Sequence, residues 1–360
     1  MIIGIDGNEA NVQEKVGVSV YTAELLSYFQ KKAEQDLQII VFLRQPPTKR
    51  LPKETSFYKY ELVSGPMLWS QVFLPLRLFL KRNVDVFFSP AHYSPRYCPV
   101  PLVVTIHDLA FFYYPNEFLK KDLYKLKNWT SQSVKKAKSI VAVSKNTKKD
   151  ILKQYDLPAE KVSVVYNGFE KTDGKPTPSE FAKKPYILFT GTLQPRKNIL
   201  LLIRSFADFS KTHTDYSLII AGKKGWLYDE IFQEVARLGK GEKIVFTDYI
   251  SDSELIGLYK NAEFFVMPSL YEGFGVPVLE AMSYGCPVIS SFSSSLPEIA
   301  GEASLYFDPT NANDLTEKMM MLADNNSLKK DLIDKGKEQI KKFSWRKCAE
   351  ETLEIIKNAA

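Results

Sequence analysis

The sequence predicts an α/β protein made of two doubly wound parallel sheets, each of the Rossmann type. Three observations support this fold class. Short runs rich in Ile, Val and Phe show no polar alternation, as expected of strands that are buried on both faces. Helical patterns separate these runs, and the alternation occurs twice along the chain. The chain of 360 residues is also longer than one core usually supports, so two domains of roughly 150–180 residues are expected.

The front half begins with a strand-like run at residues 2–5 and a helical pattern at residues 18–33. Further helical patterns cover residues 69–80 and 147–154. The remaining strand-like runs of this half cover residues 37–42, 84–88, 102–106, 140–143 and 162–165.

The back half repeats the pattern. Its strand-like runs cover residues 186–190, 217–221, 243–247, 264–267 and 288–290, with helical patterns at 199–210, 252–260 and 276–283. The C-terminal region is helical, with breaks near residues 325–326 and 343–344. Ser344 is a suitable cap for a last helix that ends near residue 358.

A polar segment, residues 170–184, separates the halves and contains two prolines and a glycine. We interpret it as a linker. The sequence therefore predicts an N-terminal domain at residues 1–168, a linker at 169–184 and a C-terminal domain at 185–343. In doubly wound sheets, ligands bind beyond the carboxyl ends of the strands, so functional residues are expected in the loops there.

Composition and charge exclude several classes of protein. With 45% hydrophobic and 25% charged residues, the chain is not mainly disordered. Three cysteines are too few for a disulfide framework, and the first residues do not resemble a signal peptide, so a cytoplasmic location is expected. Residues 1–168 carry 24 Lys and Arg against 15 Asp and Glu, a net charge of +9, whereas the remainder carries −3. A basic front half favours an anionic partner such as a lipid surface, a phosphorylated acceptor or nucleic acid.

A basic pair opens the first helix of the back half. Gly191 directly follows the run at residues 186–190 and permits a tight turn. Arg196 and Lys197 stand just before the helical pattern that begins at residue 199. Two cations beside a helix N-terminus suit a diphosphate, and a solvated basic pair is the alternative interpretation.

A glycine-rich loop with two carboxylates follows the run at residues 264–267. Gly273 and Gly275 allow backbone amides to approach a ligand closely, just before a helix. Glu272 and Glu280 have seven residues between them, which would separate them by about 12 Å in one continuous helix. Carboxylates accept hydrogen bonds from vicinal hydroxyls, so the pair could hold both ends of a nucleotide sugar. The alternative is a loop glutamate and an unrelated surface glutamate.

His107 stands at the carboxyl end of the run at residues 102–106, with Asp108 beside it. A histidine in this position can donate a hydrogen bond to a sugar hydroxyl or support developing charge. A purely structural histidine is the alternative. The three histidines of the chain are too few and too poorly spaced to predict zinc.

Weaker candidates share the placement after a strand or before a helix. Gly17 precedes the first long helix and could admit a phosphate or a reacting group. Gly222, Tyr249 and Ile250 follow two further strand-like runs and could line phosphate and base pockets.

The motifs of several other chemistries are missing. No Asp-x-Asp triplet occurs, so neither a divalent metal nor another cofactor is expected. There is no nucleophile elbow and no Walker loop. The segment at residues 4–7 does not complete a dinucleotide fingerprint, so hydride transfer lacks support.

Together these motifs resemble the family-4 retaining glycosyltransferases, whose GT-B architecture consists of two Rossmann-like domains facing a central cleft. The matching segments are E-x7-E at Glu272 and Glu280, R-K-N at 196–198, T-x-H-D at 105–108 and V-S-x-x-T-x-x-D-I at 143–151. The likeness covers essentially the whole chain. Residues 343–345 resemble the start of the family's last helix, so residues 344–360 are expected to complete the N-terminal domain.

The resemblance implies a donor-binding C-terminal domain and an acceptor-binding N-terminal domain. The implied donor contacts are Arg196 and Lys197 to the diphosphate, Glu280 to the ribose, and Glu272 with the amides near Phe274 and Gly275 to the sugar. His107 would lie near the 6-hydroxyl of that sugar. Transfer with retention would proceed by front-face attack, with the departing phosphate assisting deprotonation of the acceptor.

Residues 107–111 resemble the corresponding segment of bacterial mannosyltransferases of surface polysaccharide assembly. GDP-mannose is therefore the first expected donor and a UDP-sugar the second, with a glycan or a lipid-linked acceptor. One alternative is another GT-B enzyme, such as a nucleotide-sugar epimerase. Another is a non-catalytic module that binds a nucleotide or an anion. Nucleic acid is not expected as a partner because no nucleic-acid motif occurs.

The segment from Leu119 to Lys138 contains seven lysines and one acidic residue, interleaved with leucines and aromatic residues. As a basic amphipathic helix it could rest on the anionic inner face of a membrane. Equally, it could pack on the sheet with a solvated basic face. The apolar pattern at residues 69–80 favours core packing over an acceptor site.

Overall fold

The computed structural model of the protein describes residues 1–13, 17–65, 68–177 and 185–360. Contacts divide the chain into two compact units. Unit 1 consists of Met1–Gly168 and Phe343–Ala360, and unit 2 consists of Phe169–Lys342. Each unit contains one parallel sheet with the strand order of a doubly wound fold, which confirms the predicted fold class. The assignment of acceptor binding to one domain and donor binding to the other stays a prediction.

The strands of unit 1 are β1 (Ile2–Asp6), β2 (Gln38–Leu43), β3 (Tyr58–Leu62), β4 (Val86–Ser89), β5 (Leu102–Ile106), β6 (Ser139–Ala142) and β7 (Val162–Val164). Within the described residues they form one parallel sheet in the order β3-β2-β1-β4-β5-β6-β7. Every residue of β4 and β5 is buried, as expected of central strands with both faces covered.

The helices of unit 1 that precede unit 2 are α1 (Val18–Lys32), α2 (Phe73–Lys81), α3 (Ala110–Tyr113), α4 (Lys120–Lys136) and α5 (Lys145–Tyr155). Two hydrophobic cores lie on opposite faces of the sheet, because successive side chains of a strand point in opposite directions. In β4, Val86 and Phe88 belong to the core that contains α1 residues, whereas Phe87 belongs to the core that contains α2 and α4 residues.

The strands of unit 2 are β8 (Tyr186–Thr190), β9 (Ser217–Ala221), β10 (Ile244–Phe246), β11 (Phe264–Met267), β12 (Val288–Ser291) and β13 (Ser304–Phe307). Among the residues described they form a parallel sheet in the order β10-β9-β8-β11-β12-β13. The strand order therefore reverses between β8 and β11.

The helices of unit 2 are α6 (Ile199–Phe209), α7 (Asp229–Leu238), α8 (Asp252–Asn261), α9 (Val276–Ser283), α10 (Leu296–Ala300), α11 (Ala312–Asp324) and α12 (Asn326–Ile340). Ser251 and Glu254 form a capping box at the start of α8, which fixes where this helix begins. Apolar side chains of α6, α7 and α11 share one core with the sheet.

The last helix, α13 (Trp345–Ala359), belongs to unit 1. The Ser344 hydroxyl caps it by accepting a hydrogen bond from the Lys347 amide at 3.5 Å. Its buried side, which includes Leu353 and Ile356, packs in the same core as β1 and α1. A Cβ on Gly168 would lie 2.3 Å from the Trp345 backbone, so glycine permits this close approach of the chain to α13.

The described part of the predicted linker, residues 169–177, packs on unit 2. The Tyr284 hydroxyl donates a hydrogen bond to the Thr172 carbonyl at 2.9 Å. The Thr177 amide donates one to the Ser253 carbonyl at 3.1 Å. The rest of the predicted linker, residues 178–184, lies outside the described residues.

Two strands and one helix start differ from the sequence prediction. β3 was not predicted because Tyr58–Leu62 contains Lys59 and Glu61 on an exposed edge, and the short β13 was also missed. α2 begins at Phe73 rather than near residue 69. Pro75 lacks an amide hydrogen and therefore fits the first turn of a helix, not its interior.

The basic segment from Leu119 to Lys138 contains α4, and the structure places some of its apolar side chains inward, whereas Leu119 and Tyr124 are exposed. Leu123 and Leu126 pack against the hydrophobic core on that face of the sheet. The Trp129 ring meets the Tyr93 ring edge-on at 5.3 Å. Within the described part of the chain, no helix is both long and apolar enough to span a bilayer. Membrane contact through this segment stays a prediction.

We expect Ile356→Ala to destabilise unit 1 by about 2–5 kcal/mol, because it removes a fully buried side chain from the core that α13 shares with the sheet. Urea unfolding followed by tryptophan fluorescence measures the change, since Trp69, Trp129 and Trp345 all lie in unit 1. Glu354→Ala, on the exposed side of the same helix, is the control. Equal midpoints for the two variants would show that α13 does not stabilise this core.

Candidate functional site

The loops with the predicted donor motifs lie where the strand order of unit 2 reverses. β8 pairs with β9 on one side and with β11 on the other. The loop after β8, here the β8 loop, spans residues 191–198, and the loop after β11, here the β11 loop, spans residues 268–275. In open parallel sheets, ligands bind outside the carboxyl ends of the strands at such a point.

A buried group of three charged side chains joins the two loops. Nζ of Lys197 lies 2.6 Å from Oε1 of Glu272, and a guanidinium nitrogen of Arg196 lies 3.6 Å from Oε2. Burial alone would raise the pKa of Glu272. Lys197 and Arg196 outweigh that effect, so the pKa of this carboxyl lies below its usual range. Two cations and one carboxylate give this charged triad a net charge of +1.

The backbone of the β8 loop places the two cations. Pro195–Lys197 forms a single 3-10 turn, and Asn198 follows in the left-handed region with φ of 56°. The Asn198 side-chain amide donates a hydrogen bond to the Pro268 carbonyl at 3.1 Å. The Leu270 amide donates one to the Arg196 carbonyl at 2.9 Å. The turn is thus tied to the β11 loop by backbone groups as well as by charge.

Gly191 and Gly222 allow the loops after β8 and β9 to touch. Both have positive φ, +143° and +152°. A Cβ on Gly222 would lie 2.1 Å from the Gly191 carbonyl oxygen, which is too close for any side chain at this position. Their local role is this close approach of two backbones, and their contact with a phosphate stays a prediction.

The β11 loop ends at the start of α9. Gly275, with φ of +108°, is the residue before the helix, and a Cβ there would lie 2.8 Å from the Leu296 side chain. Gly273 and Phe274 are buried in the same loop. In this part of the described chain, no side chain caps the N-terminus of α9. Such a helix end attracts anions through its amides and its dipole.

Glu280 lies inside α9 and is held by a chain of two hydroxyls. The Tyr259 hydroxyl donates a hydrogen bond to Oε2 of Glu280 at 2.9 Å. The Thr190 hydroxyl lies 2.7 Å from the same tyrosine oxygen and therefore donates to it. Burial raises the pKa of Glu280, and the Tyr259 bond opposes the shift. Because α9 begins only at Val276, the helical spacing of about 12 Å does not describe the Glu272–Glu280 pair.

Tyr249 and Ile250 follow β10, as the sequence predicts for the strand end. The Tyr249 ring is largely exposed, and Nζ of Lys223 lies over it at 4.4 Å from the ring centre. Ile250 is half-buried. The pair presents an aromatic face and an apolar side chain at the carboxyl edge of the sheet, and contact with a base stays a prediction.

In unit 1, His107 is buried at the end of β5. Nε2 lies 2.8 Å from the Pro90 carbonyl, which can only accept, so Nε2 carries the ring proton and Nδ1 keeps a lone pair. Burial, and to a smaller extent His92, lower the pKa of His107 to about 4, although the Pro90 carbonyl and Asp108 oppose the shift. The imidazole is therefore neutral at pH 7. Because the Nε2 proton is directed to Pro90, the ring can accept a hydrogen bond from a hydroxyl through Nδ1, which differs from the predicted donation. The expected support of developing charge would require a cation.

His92 lies beside His107, with the ring centres 6.0 Å apart. Its Nδ1 is buried and has no hydrogen-bond partner among the described residues. Sequence reasoning missed His92 because it follows β4 in a loop without a recognisable motif. Its position shortly after a buried strand was the available signal.

Gly17 precedes α1 with φ of 48°, and a Cβ there would meet nothing within 4 Å among the described residues. Its positive φ alone accounts for glycine at this position. The rest of its predicted motif, residues 14–16, lies outside the described residues.

Comparison with known proteins agrees with these features. Residues 16–172 match the sequence model of "Glycosyltransferase Family 4", and residues 171–339 match that of "Glycosyl transferases group 1". The chain is 31% identical over 282 residues to O-antigen chain mannosyltransferase B of Escherichia coli, covering 76% of this chain and 74% of the relative. It belongs to the family-4 glycosyltransferases.

Two further matches support the assignment of the chain to the family-4 glycosyltransferases. O-antigen chain mannosyltransferase RfbU of Salmonella typhimurium is 33% identical over 251 residues, covering 68% of this chain and 67% of the relative. The crystal structure of Anabaena Alr3699/HepE in complex with UDP superposes with a TM-score of 0.74 at 17% identity and covers 99% of each chain. At this identity the likeness establishes the fold, which is GT-B.

The serines after β12 hold the β11 loop of the glycosyltransferase and were missed from sequence. The Glu272 amide donates a hydrogen bond to Oγ of Ser294 at 2.7 Å. Oγ of Ser295 lies 2.9 Å from the carbonyl oxygens of both Glu272 and Phe274. A serine run after a buried strand was the available signal. Tyr259 was missed as well, since a helical tyrosine carries no motif of its own.

We expect Gly222→Ala to disrupt the β8 loop of the glycosyltransferase, because the added methyl would overlap the Gly191 carbonyl. The strained φ adds to the effect, and a loss of about 1–3 kcal/mol in the stability of unit 2 is expected. Thermal unfolding measures it. Gly241→Ala is the matched control, because a Cβ there meets nothing within 4 Å in the described structure. Two variants of equal stability would contradict the close packing of these loops.

The His107 ring should titrate with a midpoint near pH 4, since burial disfavours the cation. Histidine resonances followed by NMR from pH 8 to below pH 4 measure this midpoint. The unfolded chain takes up the proton near pH 6.5, so His107 should contribute a loss of stability as the pH falls from about 6.5 towards 4, whereas Asp6, whose pKa burial raises to about 6, contributes a gain as the pH falls below that value. His107→Gln should lack that loss. A His107 midpoint near 6.5 would show that the ring is not held neutral by burial.

Proposed function

We propose that this glycosyltransferase transfers mannose from GDP-mannose to a surface polysaccharide or its lipid-linked precursor, with retention of configuration and without a metal ion. A UDP-sugar is the second choice of donor. The single observation that supports donor binding most strongly is the charged triad of Arg196, Lys197 and Glu272 at the switch point of the unit 2 sheet. The names of the two O-antigen mannosyltransferases support the sugar and the acceptor class.

The charged triad suits a diphosphate for two reasons. Its net charge of +1 leaves the two cations only partly neutralised by Glu272. Its side chains are at most 15% exposed, so a charge placed there interacts more strongly than it would in water. The uncapped N-terminus of α9 follows the same loop and adds amide dipoles.

The proposed role of Glu280 is to accept hydrogen bonds from the ribose hydroxyls. One of its oxygens is already bonded to Tyr259, which fixes the orientation of the carboxylate before the donor binds. Glu272, oriented by Lys197, is proposed to bind the donor sugar.

The proposed reaction is a front-face substitution at the anomeric carbon. The bond from this carbon to the phosphate oxygen breaks, and the acceptor oxygen bonds to the same face of the sugar. The acceptor proton passes to the departing diphosphate. Charge builds up on the leaving group, so Arg196 and Lys197 supply the main stabilisation, as preorganised cations do in other active sites. Neutral His107 would accept a hydrogen bond from a substrate hydroxyl through Nδ1.

The test is a donor panel. Purified protein with EDTA is given GDP-mannose, UDP-glucose, UDP-galactose or ADP-glucose, with and without a bacterial lipid extract, and released nucleoside diphosphate is measured. We expect release from GDP-mannose, increased by the extract, and an α-linked product by NMR, as retention of the donor's configuration requires. Glu280→Ala should lower kcat/KM about 100-fold, in line with the loss of hydrogen bonds to a charged group.

Glu317→Ala is the matched control, an exposed helical glutamate on α11. It should react at the rate of the unaltered protein. Release from a UDP-sugar alone would replace the proposed donor. An inverted product would contradict the front-face reaction, and dependence on added metal would contradict metal-independent transfer. Absence of both turnover and nucleotide binding would remove the donor-site assignment and favour a non-catalytic module.

A further inference from the structure

His92 follows the strand at which the sheet order of unit 1 reverses. In the order β3-β2-β1-β4-β5-β6-β7, the reversal lies between β1 and β4. Ligands of open parallel sheets bind beyond the carboxyl ends of the strands at such a point. β1 ends at Asp6, and β4 ends at Ser89, shortly before His92. The position at which unit 1 is expected to bind a ligand therefore carries a histidine that has no part in donor binding by unit 2.

The His92 ring packs beside two other aromatic rings. Its centre lies 6.0 Å from the centre of the His107 ring and 6.4 Å from that of Phe111, which it meets edge-on. Its Nδ1 atom is buried and has no hydrogen-bond partner in the part of the chain that the structure describes. A buried N–H without an acceptor is rarer and more costly than a buried lone pair. Nδ1 therefore keeps the lone pair, and Nε2 carries the ring proton.

The His92 ring is neutral, and its outer part is accessible. Burial lowers the pKa of His92, and Asp108 opposes the shift, so the imidazole is uncharged at pH 7. The residue as a whole is only half-buried. Because Nδ1 is buried, Nε2 is the nitrogen that a ligand can reach, and it presents an N–H group.

His107 has the opposite arrangement. Its Nε2 proton is directed to the Pro90 carbonyl, and its Nδ1 keeps a lone pair. The two neighbouring rings thus offer one hydrogen-bond donor, from His92, and one acceptor, from His107. A hydroxyl group can both donate and accept, whereas an ionised phosphate oxygen only accepts. This pair of neutral rings suits the hydroxyls of a sugar.

We propose that His92 is a specificity-determining residue of unit 1, which donates a hydrogen bond from Nε2 to a sugar hydroxyl beside the bond that His107 accepts. The proposal rests on the proposed function for the nature of the ligand as a sugar. The hydroxyl belongs either to the donor sugar or to the acceptor glycan, and the experiment distinguishes the two. The T-x-H-D segment includes His107 and not His92, so this residue is additional to the motifs of the sequence.

The test compares His92→Gln, His92→Asn and His92→Phe in the full chain. Gln places an amide N–H near the position of Nε2, Asn places one near Nδ1, and Phe keeps a planar ring without nitrogen. KM is measured for GDP-mannose hydrolysis without acceptor, and the half-saturating amount of bacterial lipid extract is measured for transfer. Asn and Phe should raise one of these values about 3–10-fold, as the loss of one neutral hydrogen bond predicts, with kcat little changed. Gln should restore it, and the value that rises identifies the source of the hydroxyl.

His213→Phe is the matched control. Both ring nitrogens of His213 have partners, the Thr212 hydroxyl at 3.0 Å and the Asp324 carboxylate at 3.0 Å. This variant should unfold at a lower temperature and keep the kinetic values of the unaltered protein. His92→Phe should show the reverse, because it removes a buried nitrogen that has no partner among the described residues. A His92→Phe protein that loses stability and keeps its kinetic values would overturn the proposal in favour of a structural histidine paired with a buried water.

A binding measurement separates failure of this proposal from failure of the proposed donor. Methyl α-mannoside is titrated into the protein while the histidine resonances, assigned with the two Phe variants, are followed by NMR. If the unaltered protein does not turn over GDP-mannose, a shift of the His92 resonances with those of His213 unchanged supports sugar binding at His92. The absence of a shift would then overturn it. If turnover occurs, equal kinetic values for the Gln, Asn and Phe variants would overturn it.

Discussion

The parallel pairing of β8 with β11 is the constraint on which the candidate donor site depends. The carboxyl ends of these two strands lie at the same edge, so Lys197 and Glu272, which are 75 residues apart in sequence, can meet at 2.6 Å. The other elements reinforce this one junction. Asn198 ties the β8 loop to Pro268, Ser294 and Ser295 hold Glu272 from the next strand, and the Gly191–Gly222 contact closes the opposite side.

Burying the charged triad costs free energy in the absence of a ligand. Burying ions costs free energy that their mutual attraction only partly returns, so buried pairs contribute little to stability. Here the balance leaves Glu272 ionised despite burial, because two cations surround it. The carboxylate in turn keeps both cations oriented before any substrate binds. A site arranged in advance does not spend binding energy on reorganisation when charge develops on a leaving group, which is how electrostatic catalysis works.

The sequence predicted those features that depend on residues close together along the chain. Buried strands followed by polar loops located β5, β8, β9 and β11, and, apart from Gly17 in unit 1, the residues predicted to bind the donor lie in the loops after the strands of unit 2 or in the helix that follows. Contacts between distant segments were not predictable. Nothing in the β8 loop indicates that its lysine pairs with Glu272, and nothing in α8 indicates that Tyr259 holds Glu280. The apolar pattern near α2 was read as core because periodicity shows that a helix is apolar, and it does not show which side is covered.

Burial disfavours the charged form of a side chain in both units, but only in unit 2 do neighbouring charges outweigh it. The two units therefore suit different kinds of ligand group. In unit 2, nearby cations outweigh burial and Glu272 stays charged, so the site suits ionic and strongly polar groups. In unit 1, no comparable compensation acts on His107 within the described residues, and burial holds it neutral with a pKa of about 4. Burial likewise raises the pKa of Asp6, at the end of β1, to about 6, against the opposing bonds from Asn8. A neutral imidazole and a carboxyl that is still mostly ionised at pH 7 offer a phosphate no positive charge, so this edge is poorly suited to one. It is better suited to the uncharged hydroxyls of a sugar, and this favours the assignment of the diphosphate to unit 2 on electrostatic grounds that are independent of family membership.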